Sequence, residues 1–527
     1  MTRSRRLPLL ALLLLTPACA KRASVAGGAG MSPYYGGTPA AAREAMNTES
    51  YAHIAENAFK RVADDPLSTF SIDVDTASYS NVRRFLEDGQ LPPADAVRIE
   101  EMINYFTYAY PEPQAGQPFS VQTEVAACPW NDRARLVQIG IKGKSLAPAE
   151  IPPRNLVFLL DVSGSMASPD KLPLLQRSLT MLVADIRPVD SVAIVVYAGA
   201  AGVVLEPTAD RDKIVSAIDS LYAGGSTNGG QGIEAAYALA QQAFKTGGIN
   251  RVILATDGDF NVGVSSQGEL QRLIEARRDS GIFLSVLGFG TGNIKDSTME
   301  MLADKGNGNY AYIDGLQEAR KVLVEQAGAT LVTIAKDVKI QVEFNPIKVG
   351  AYRLIGYENR MLAHADFNDD RKDAGEIGAG HTITALYEVL PPGAEGALPG
   401  VDALRYQQPK AAPAPTAGSD ELMHVKLRYK QPASDDSQLL TMPVADPGAA
   451  LDAASVDLRF AAAVALFGMK LRNSEHARAV SYKQIRGLAE GALGPDPKGY
   501  RRGMLALLGL AAGQQGEPLD TPATVAR

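Results

Sequence analysis

A chain of 527 residues is too long for a single hydrophobic core and divides into two to four domains. With 46% apolar and 21% charged residues it has the composition of folded globular domains, which excludes a disordered chain and a bundle of membrane helices. The net charge is −7, and it becomes −10 (52 basic residues less three, against 59 acidic) when Arg3, Arg5 and Arg6 are set aside with the segment that carries them. Such a chain has no basic stripe to displace counterions from phosphates, so no nucleic-acid partner is expected.

Those three arginines precede an apolar run from Leu7 to Leu15, and Thr16-Pro17-Ala18-Cys19 follows. A basic start, a short apolar stretch and small residues at its end spell an export signal over residues 1–19, and the run is too short to span a bilayer. Its position before Cys19 resembles a bacterial lipobox. That resemblance implies a lipid on Cys19 and a place in the cell envelope, periplasm-facing or on the outer membrane. Thr16 and Pro17 depart from the usual pattern, and ordinary cleavage after Ala18 or Ala20 is the alternative. If Cys19 carries lipid, Cys128 has no partner for an intrachain disulfide. No other stretch approaches eighteen consecutive apolar residues, so a lipid is the only membrane contact expected. From residue 20 to 64 the chain reads as a tether, because its Gly/Ala/Ser/Pro-rich start buries too little apolar surface to order itself.

Residues 65–150 read as a separate N-terminal domain. Phe70 to Val74 alternates like a strand, and Asp75-Thr76-Ala77-Ser78 supplies cap residues for a helix through Val82 and Phe85. A second helix is expected from Ala94 to Phe106. Phe119 to Val125 and Arg135 to Ile141 read as two strands joined by a turn around Pro129 to Asp132.

The pattern changes over residues 151–332. Leu156 to Leu160 is a continuous apolar run, as a strand buried on both faces requires. Helices are expected at Leu172 to Ile186, Asp212 to Leu221, Gly232 to Phe244, Gln267 to Arg278, Ser297 to Asp304 and Leu316 to Gly328. Strands are expected at Val192 to Tyr197, Val203 to Pro207, Val252 to Thr256, Ile282 to Leu287 and Tyr310 to Ile313. This alternation predicts an α/β fold, a doubly wound and mostly parallel sheet covered on both faces.

Residues 333–515 return to alternating strands (Val338 to Phe344, Ala351 to Ile355, Thr382 to Val389, Val425 to Tyr429, Leu439 to Val444) around a long loop from Pro391 to Gly418. Helices follow at Val456 to Lys470, Tyr482 to Ala492 and Arg501 to Gly513, and residues 516–527 read as a disordered tail. The strands on either side of the α/β segment are expected to fold together into one β-sandwich-like domain that holds the module.

In an open parallel sheet, ligands gather at the carboxyl ends of the strands. Three oxygen-bearing clusters fall there: Asp161-Val162-Ser163-Gly164-Ser165, Gly224-Gly225-Ser226-Thr227-Asn228-Gly229, and Thr256-Asp257-Gly258-Asp259. Hydroxyls two residues apart can converge on one point, the glycines let Thr227 come close, and Asp161 and Asp257 supply charge. A hard divalent cation takes such oxygens, with water or a ligand oxygen completing its sphere; Mg²⁺ suits best, and Mn²⁺ or Ca²⁺ are possible. Ser and Asp at one strand-to-helix junction are often only helix caps, but three clusters at three strand ends are more than capping needs.

These residues resemble the metal-ion-dependent adhesion site of the von Willebrand factor type A (VWA) family, and Asp161, Ser163, Ser165, Thr227 and Asp257 match all five of its positions. The resemblance implies that hydroxyls bind the metal directly, that the aspartates act in part through water, and that a Glu or Asp of a protein partner completes the sphere. It extends over about residues 65–510: Phe70 to Tyr79 and Tyr352 to Arg360 resemble the N-terminal extension and uncharacterised C-terminal domain of bacterial VWA lipoproteins. The expectation is a non-enzymatic, metal-dependent adhesion or scaffold protein. An envelope hydrolase assisted by the metal and a scaffold with a vestigial metal site are the alternatives.

Other motifs carry less. Gly143-Lys144-Ser145 lacks the leading glycine of a phosphate-binding loop, because residue 138 is Gln. Gly288-Phe289-Gly290-Thr291-Gly292 lacks the third glycine of a dinucleotide loop. The acidic run Asp366 to Asp370, with Glu376, is out of register with a calcium-binding loop and reads as a solvated turn.

Overall fold

The computed structural model describes residues 47–72, 75–198, 201–224, 229–258, 267–326, 331–372, 374–394, 396, 398 and 420–519. Cys19 with the export segment and most of the expected tether, Thr227, most of the expected loop from Pro391, and the tail from residue 520 lie outside the described residues.

The first part supplies β1 (Lys60–Arg61), β2 (Leu67–Ser71), α1 (Ala77–Glu87), α2 (Ile99–Asn104), β3 (Phe119–Ala127) and β4 (Arg135–Gly143). The central part alternates: β5 (Arg154–Asp161), α3 (Leu172–Val183), β6 (Ser191–Tyr197), β7 (Ala201–Thr208), α4 (Arg211–Asp219), α5 (Gly229–Gln242), β8 (Ile249–Thr256), α6 (Gln267–Asp279), β9 (Phe283–Phe289), α7 (Asp296–Lys305), β10 (Tyr310–Ile313) and α8 (Leu316–Arg320). Its six strands lie in the order β10-β9-β8-β5-β6-β7, parallel throughout except for β7 at one edge. Successive residues of β5 point to opposite faces: Leu156, Phe158 and Leu160 pack with α3 and α4, and Val157 and Leu159 with α5, α6 and α7. Both faces are covered, which is why the strand is apolar without a break. Each such buried side chain contributes about 1.5–3 kcal/mol.

The last part contains β11 (Thr333–Phe344), β12 (Ala351–Ile355), β13 (Gly375–Gly378), β14 (Thr382–Leu390), β15 (Glu421–Lys430), β16 (Ser437–Ala445), α9 (Val456–Leu471), α10 (Tyr482–Glu490) and α11 (Tyr500–Gln514). The two flanks of the central part do fold together. One antiparallel sheet runs β1-β12-β14-β4-β3, so β4 from before the α/β part pairs with β14 from after it, Ile141 opposite Ile383. A second sheet joins β13, β11, β15 and β16, with β2 also on β11. The alternation in β4 and β14 explains the layering. Val137, Ile139, Ile383, Ala385 and Tyr387 face the second sheet, whereas Leu136, Leu386 and Leu390 face α1, α2 and α9–α11. Helix α9 is buried on almost every side from Leu458 to Leu471, as a helix with apolar residues all round must be.

Four expectations are corrected. Residues 47–64, expected as tether, belong to the fold: the Thr48 amide donates to Gly292 O at 2.7 Å, Asn57 Nδ2 donates to Leu354 O and Gly356 O, and β1 pairs with β12. The expected helix Ala94 to Phe106 is broken into a short turn Ala94–Ala96 and α2, because Arg98 between them has an extended backbone (φ −94°, ψ 113°). The expected helix from Leu316 widens after Arg320 into a π-turn, Lys321–Gln326. The tail is held at its start, where the Glu517 carboxylate accepts the Tyr482 N–H at 3.2 Å and pairs with Lys470. No helix among the described residues is long and apolar enough to cross a membrane.

Candidate metal centre

Strands β5 and β8 are neighbours in parallel register, Leu160 beside Ala255, so their carboxyl ends open at one level. Asp161 ends β5 and is 0% exposed. Its Oδ1 accepts the Ser163 N–H at 2.8 Å, an Asx turn that swings the chain out of the strand, and its Oδ2 accepts the Thr256 hydroxyl at 3.3 Å. The turn brings the Ser163 and Ser165 hydroxyls to 2.9 Å from each other, Ser163 buried and Ser165 exposed. Burial pushes the Asp161 carboxyl up to about 6; the Ser163 hydrogen bonds oppose that rise and the Asp257 carboxylate adds to it.

Asp257 follows β8 and is buried. Its Oδ2 accepts Lys171 Nζ at 2.8 Å and Asn293 Nδ2 at 3.4 Å. Glycines make both approaches possible. A Cβ on Gly290 (φ +71°) would lie 2.3 Å from Lys171 Cγ and Cε, and one on Gly258 (φ +101°) 2.5 Å from Asn293 O. The Gly288 to Gly292 loop is therefore the passage for the buried Lys171 stem. Thr227 lies outside the described residues. On either side of it, Gly224 N donates to Val162 O at 2.8 Å, and a Cβ on Gly232 would meet Tyr197 Cβ at 3.0 Å and Leu159 Cδ1 at 3.1 Å.

Four of the five candidate residues, Asp161, Ser163, Ser165 and Asp257, thus stand at two adjacent strand ends. The donor set suits a hard cation: two neutral oxygens side by side, backed by a carboxylate whose burial such an ion would offset. Both Asp161 oxygens are engaged by Ser163 and Thr256, so its charge acts from behind the hydroxyls. Sequence patterning missed Lys171 and Asn293, and it placed Thr256 in a strand-end cluster without giving it a role. One signal for Lys171 was present: it fills the residue before α3, where Ser, Thr, Asp or Asn is the usual cap. Elsewhere, the acidic run from Asp366 pairs with Lys372, Arg371 and Arg428.

Three family models match the chain: "von Willebrand factor" over residues 45–138, "von Willebrand factor type A domain" over 155–326, and "Uncharacterized protein YfbK, C-terminal" over 329–513. The uncharacterised protein YfbK of Escherichia coli (strain K12) is 46% identical over 475 residues, 88% of this chain and 81% of its own length. A UPF0353 protein of Mycobacterium sp. (strain KMS) is 27% identical over 198 residues, 32% of this chain and 59% of its own. Among solved structures, a von Willebrand factor type A protein from Catenulispora acidiphila aligns over 72% of this chain and 88% of that one, with 15% identity and a TM-score of 0.40. The ArnB paralog VWA2 from Sulfolobus acidocaldarius aligns over 76% and 99%, with 15% identity and a TM-score of 0.35. VWA domains are in general non-enzymatic modules of protein interaction or scaffolding, and they commonly bind a divalent cation. The chain belongs to the bacterial YfbK family, in which a VWA domain is set between an N-terminal extension and a C-terminal domain of its own.

Proposed function

We propose that this is an exported, lipid-anchored binding protein of the cell envelope. It holds a divalent cation, Mg²⁺ by preference, on Asp161, Ser163, Ser165, Thr227 and Asp257, and uses it to take up a carboxylate from a protein partner. The reading rests on one observation above all: the paired Ser163 and Ser165 hydroxyls stand beside buried Asp161 at the carboxyl end of the central strands. A bound cation would supply the attraction for an Asp or Glu oxygen. Ser163 and Ser165 would hold it with neutral oxygens, which leave its charge under-neutralised. Lys171 acts in the same direction: by pairing with Asp257 it cancels one negative charge of the site, so the demand for an outside carboxylate rises. The Cys19 anchor and the Gly-rich segment after it would let the site reach partners at the membrane surface.

The test is a thermal-shift titration with MgCl₂, MnCl₂ and CaCl₂ on the wild type and on Ser165→Ala, whose exposed side chain keeps folding out of the comparison. The wild type is expected to melt at a higher temperature with at least one ion, and Ser165→Ala to need roughly tenfold more of it. A wild type indifferent to all three ions sinks the proposal. A pull-down from envelope extracts with and without EDTA then identifies the partner.

A further inference from the structure

Arg251 is the third residue of β8, at the amino end of the sheet and so at the pole opposite Asp257. It faces a cavity of about 350 Å³ between the parallel sheet and the β-sandwich. Asn307 lines the cavity from the sheet side, and Thr333, Glu376 and His381 line it from the sandwich side. The Arg251 residue is 2% exposed. Its Nη1 donates to the Ser285 hydroxyl at 2.6 Å, its Nε is buried without an acceptor, and no described residue accepts from Nη2. It forms no ion pair among the described residues, and Glu376 acts on it only through space.

The other cations on the cavity wall are matched. Arg360 pairs with Asp75, Glu300 and Asp304, and Lys305 with Glu275. A buried guanidinium that has one hydrogen bond among the described residues, with its Cζ 5.7 Å from the centroid of the Phe283 ring and Glu376 acting only through space, is an expensive thing to fold around, and proteins pair such groups or place them where a ligand pairs them. The edge without an acceptor among the described residues is the Nε–Nη2 fork, the side of arginine that grips carboxylate and phosphate with two parallel hydrogen bonds.

We propose that a small oxyanion, a phosphate or a carboxylate, binds in this cavity on the Nε–Nη2 edge of Arg251. Asn307 and His381 also line this cavity, and each has a buried atom without a partner among the described residues, Oδ1 and Nδ1. An amide flip at Asn307 and the choice of tautomer at His381 turn both into N–H donors for the anion. Burial brings the His381 pKa down to about 4, with Lys142, Arg251 and Lys321 adding to the fall, so at neutral pH it serves as an uncharged donor. The cavity volume falls in the range that holds a hydrated phosphate or a small organic acid. An anion there would touch β8 on one wall and the turn between β13 and β14 on the other, joining the VWA domain to the sandwich.

The test uses the purified full-length chain, titrated with sodium phosphate and, separately, with sodium acetate against sodium chloride of equal ionic strength. It reads calorimetry and the ¹H–¹⁵N resonances of arginine Nε–H groups. One anion is expected to bind saturably and to move a single buried Nε–H resonance, and Arg251→Lys, which keeps the charge and loses the fork, to bind it at least about tenfold more weakly. Saturation by phosphate alone, by acetate alone or by both identifies the source and supports the proposal in each case. No saturable shift with either anion overturns it, a reading on the wild type that does not depend on any variant folding. Undiminished binding by Arg251→Met overturns it as well.

Discussion

Two arginines are buried on the side of the VWA domain that meets its flanking parts, and they are treated in opposite ways. Arg98, 4% exposed between α1 and α2, reaches Asp296 at 2.6 Å, Glu300 at 2.8 Å and Glu101 at 3.0 Å. Burial works against its charge, but those carboxylates outweigh it and hold its pKa well above the ordinary value. Arg251 is as deeply buried and has a serine hydroxyl; burial brings its pKa down to about 10 with only Glu376 opposing. A matched buried charge ties together parts of the chain distant in sequence, here the N-terminal extension and α7. An unmatched one ties nothing together in that way, and its burial is a cost that the proposed anion would offset.

The largest effect is expected from breaking the matched cluster. Arg98→Met strands carboxylates of Glu101, Asp296 and Glu300 and is expected to lower the unfolding free energy in urea by about 3–5 kcal/mol. A loss under about 1 kcal/mol would show that charge matching does not hold this contact.

The next effect depends on pH. His381 has a folded pKa of about 4, below the 6.5 of an exposed histidine. Between those values the unfolded chain binds the proton and the folded chain does not, so the stability His381 contributes is present above pH 6.5 and is lost as pH falls toward 4. Wild type is expected to lose at most about 3 kcal/mol more than His381→Gln across that window. Parallel pH profiles of the two proteins would remove His381 from the account of the cavity.

The smallest effect sharpens the contrast. In buffer free of phosphate and carboxylates, Arg251→Met is expected to stay within about 1 kcal/mol of wild type, or to exceed it, because the substitution removes a buried charge with no ionic partner among the described residues. A loss as large as that of Arg98→Met would mean the two arginines do the same work.

Much of this was legible in the chain because it was local and periodic. Leu156 to Leu160 declared a strand buried on both faces, and Asp161, Ser163 and Asp257 declared themselves at strand ends. The broken helix was not legible. Val97, Ile99, Met102, Ile103 and Phe106 have helical spacing, and the extended backbone at Arg98 accompanies ion pairs to Asp296 and Glu300 about 200 positions away. Residues 47–64 read as tether because they are held by backbone pairing and isolated polar contacts with residues about 240–300 positions later, which leave no apolar period.

By itself, then, the sequence determined most of the elements, the class of the sheet and which strand ends carry oxygen ligands, since each follows from neighbours within a turn or a strand. It also implied that strands on both sides of the central domain share one sandwich, though not that β4 pairs with β14. Only the tertiary structure decided that Lys171 reaches Asp257 through the space left at Gly290, that Arg98 is matched, and that Arg251 is not. Charge pairing depends on distances set after the chain has closed on itself, and no local pattern records them.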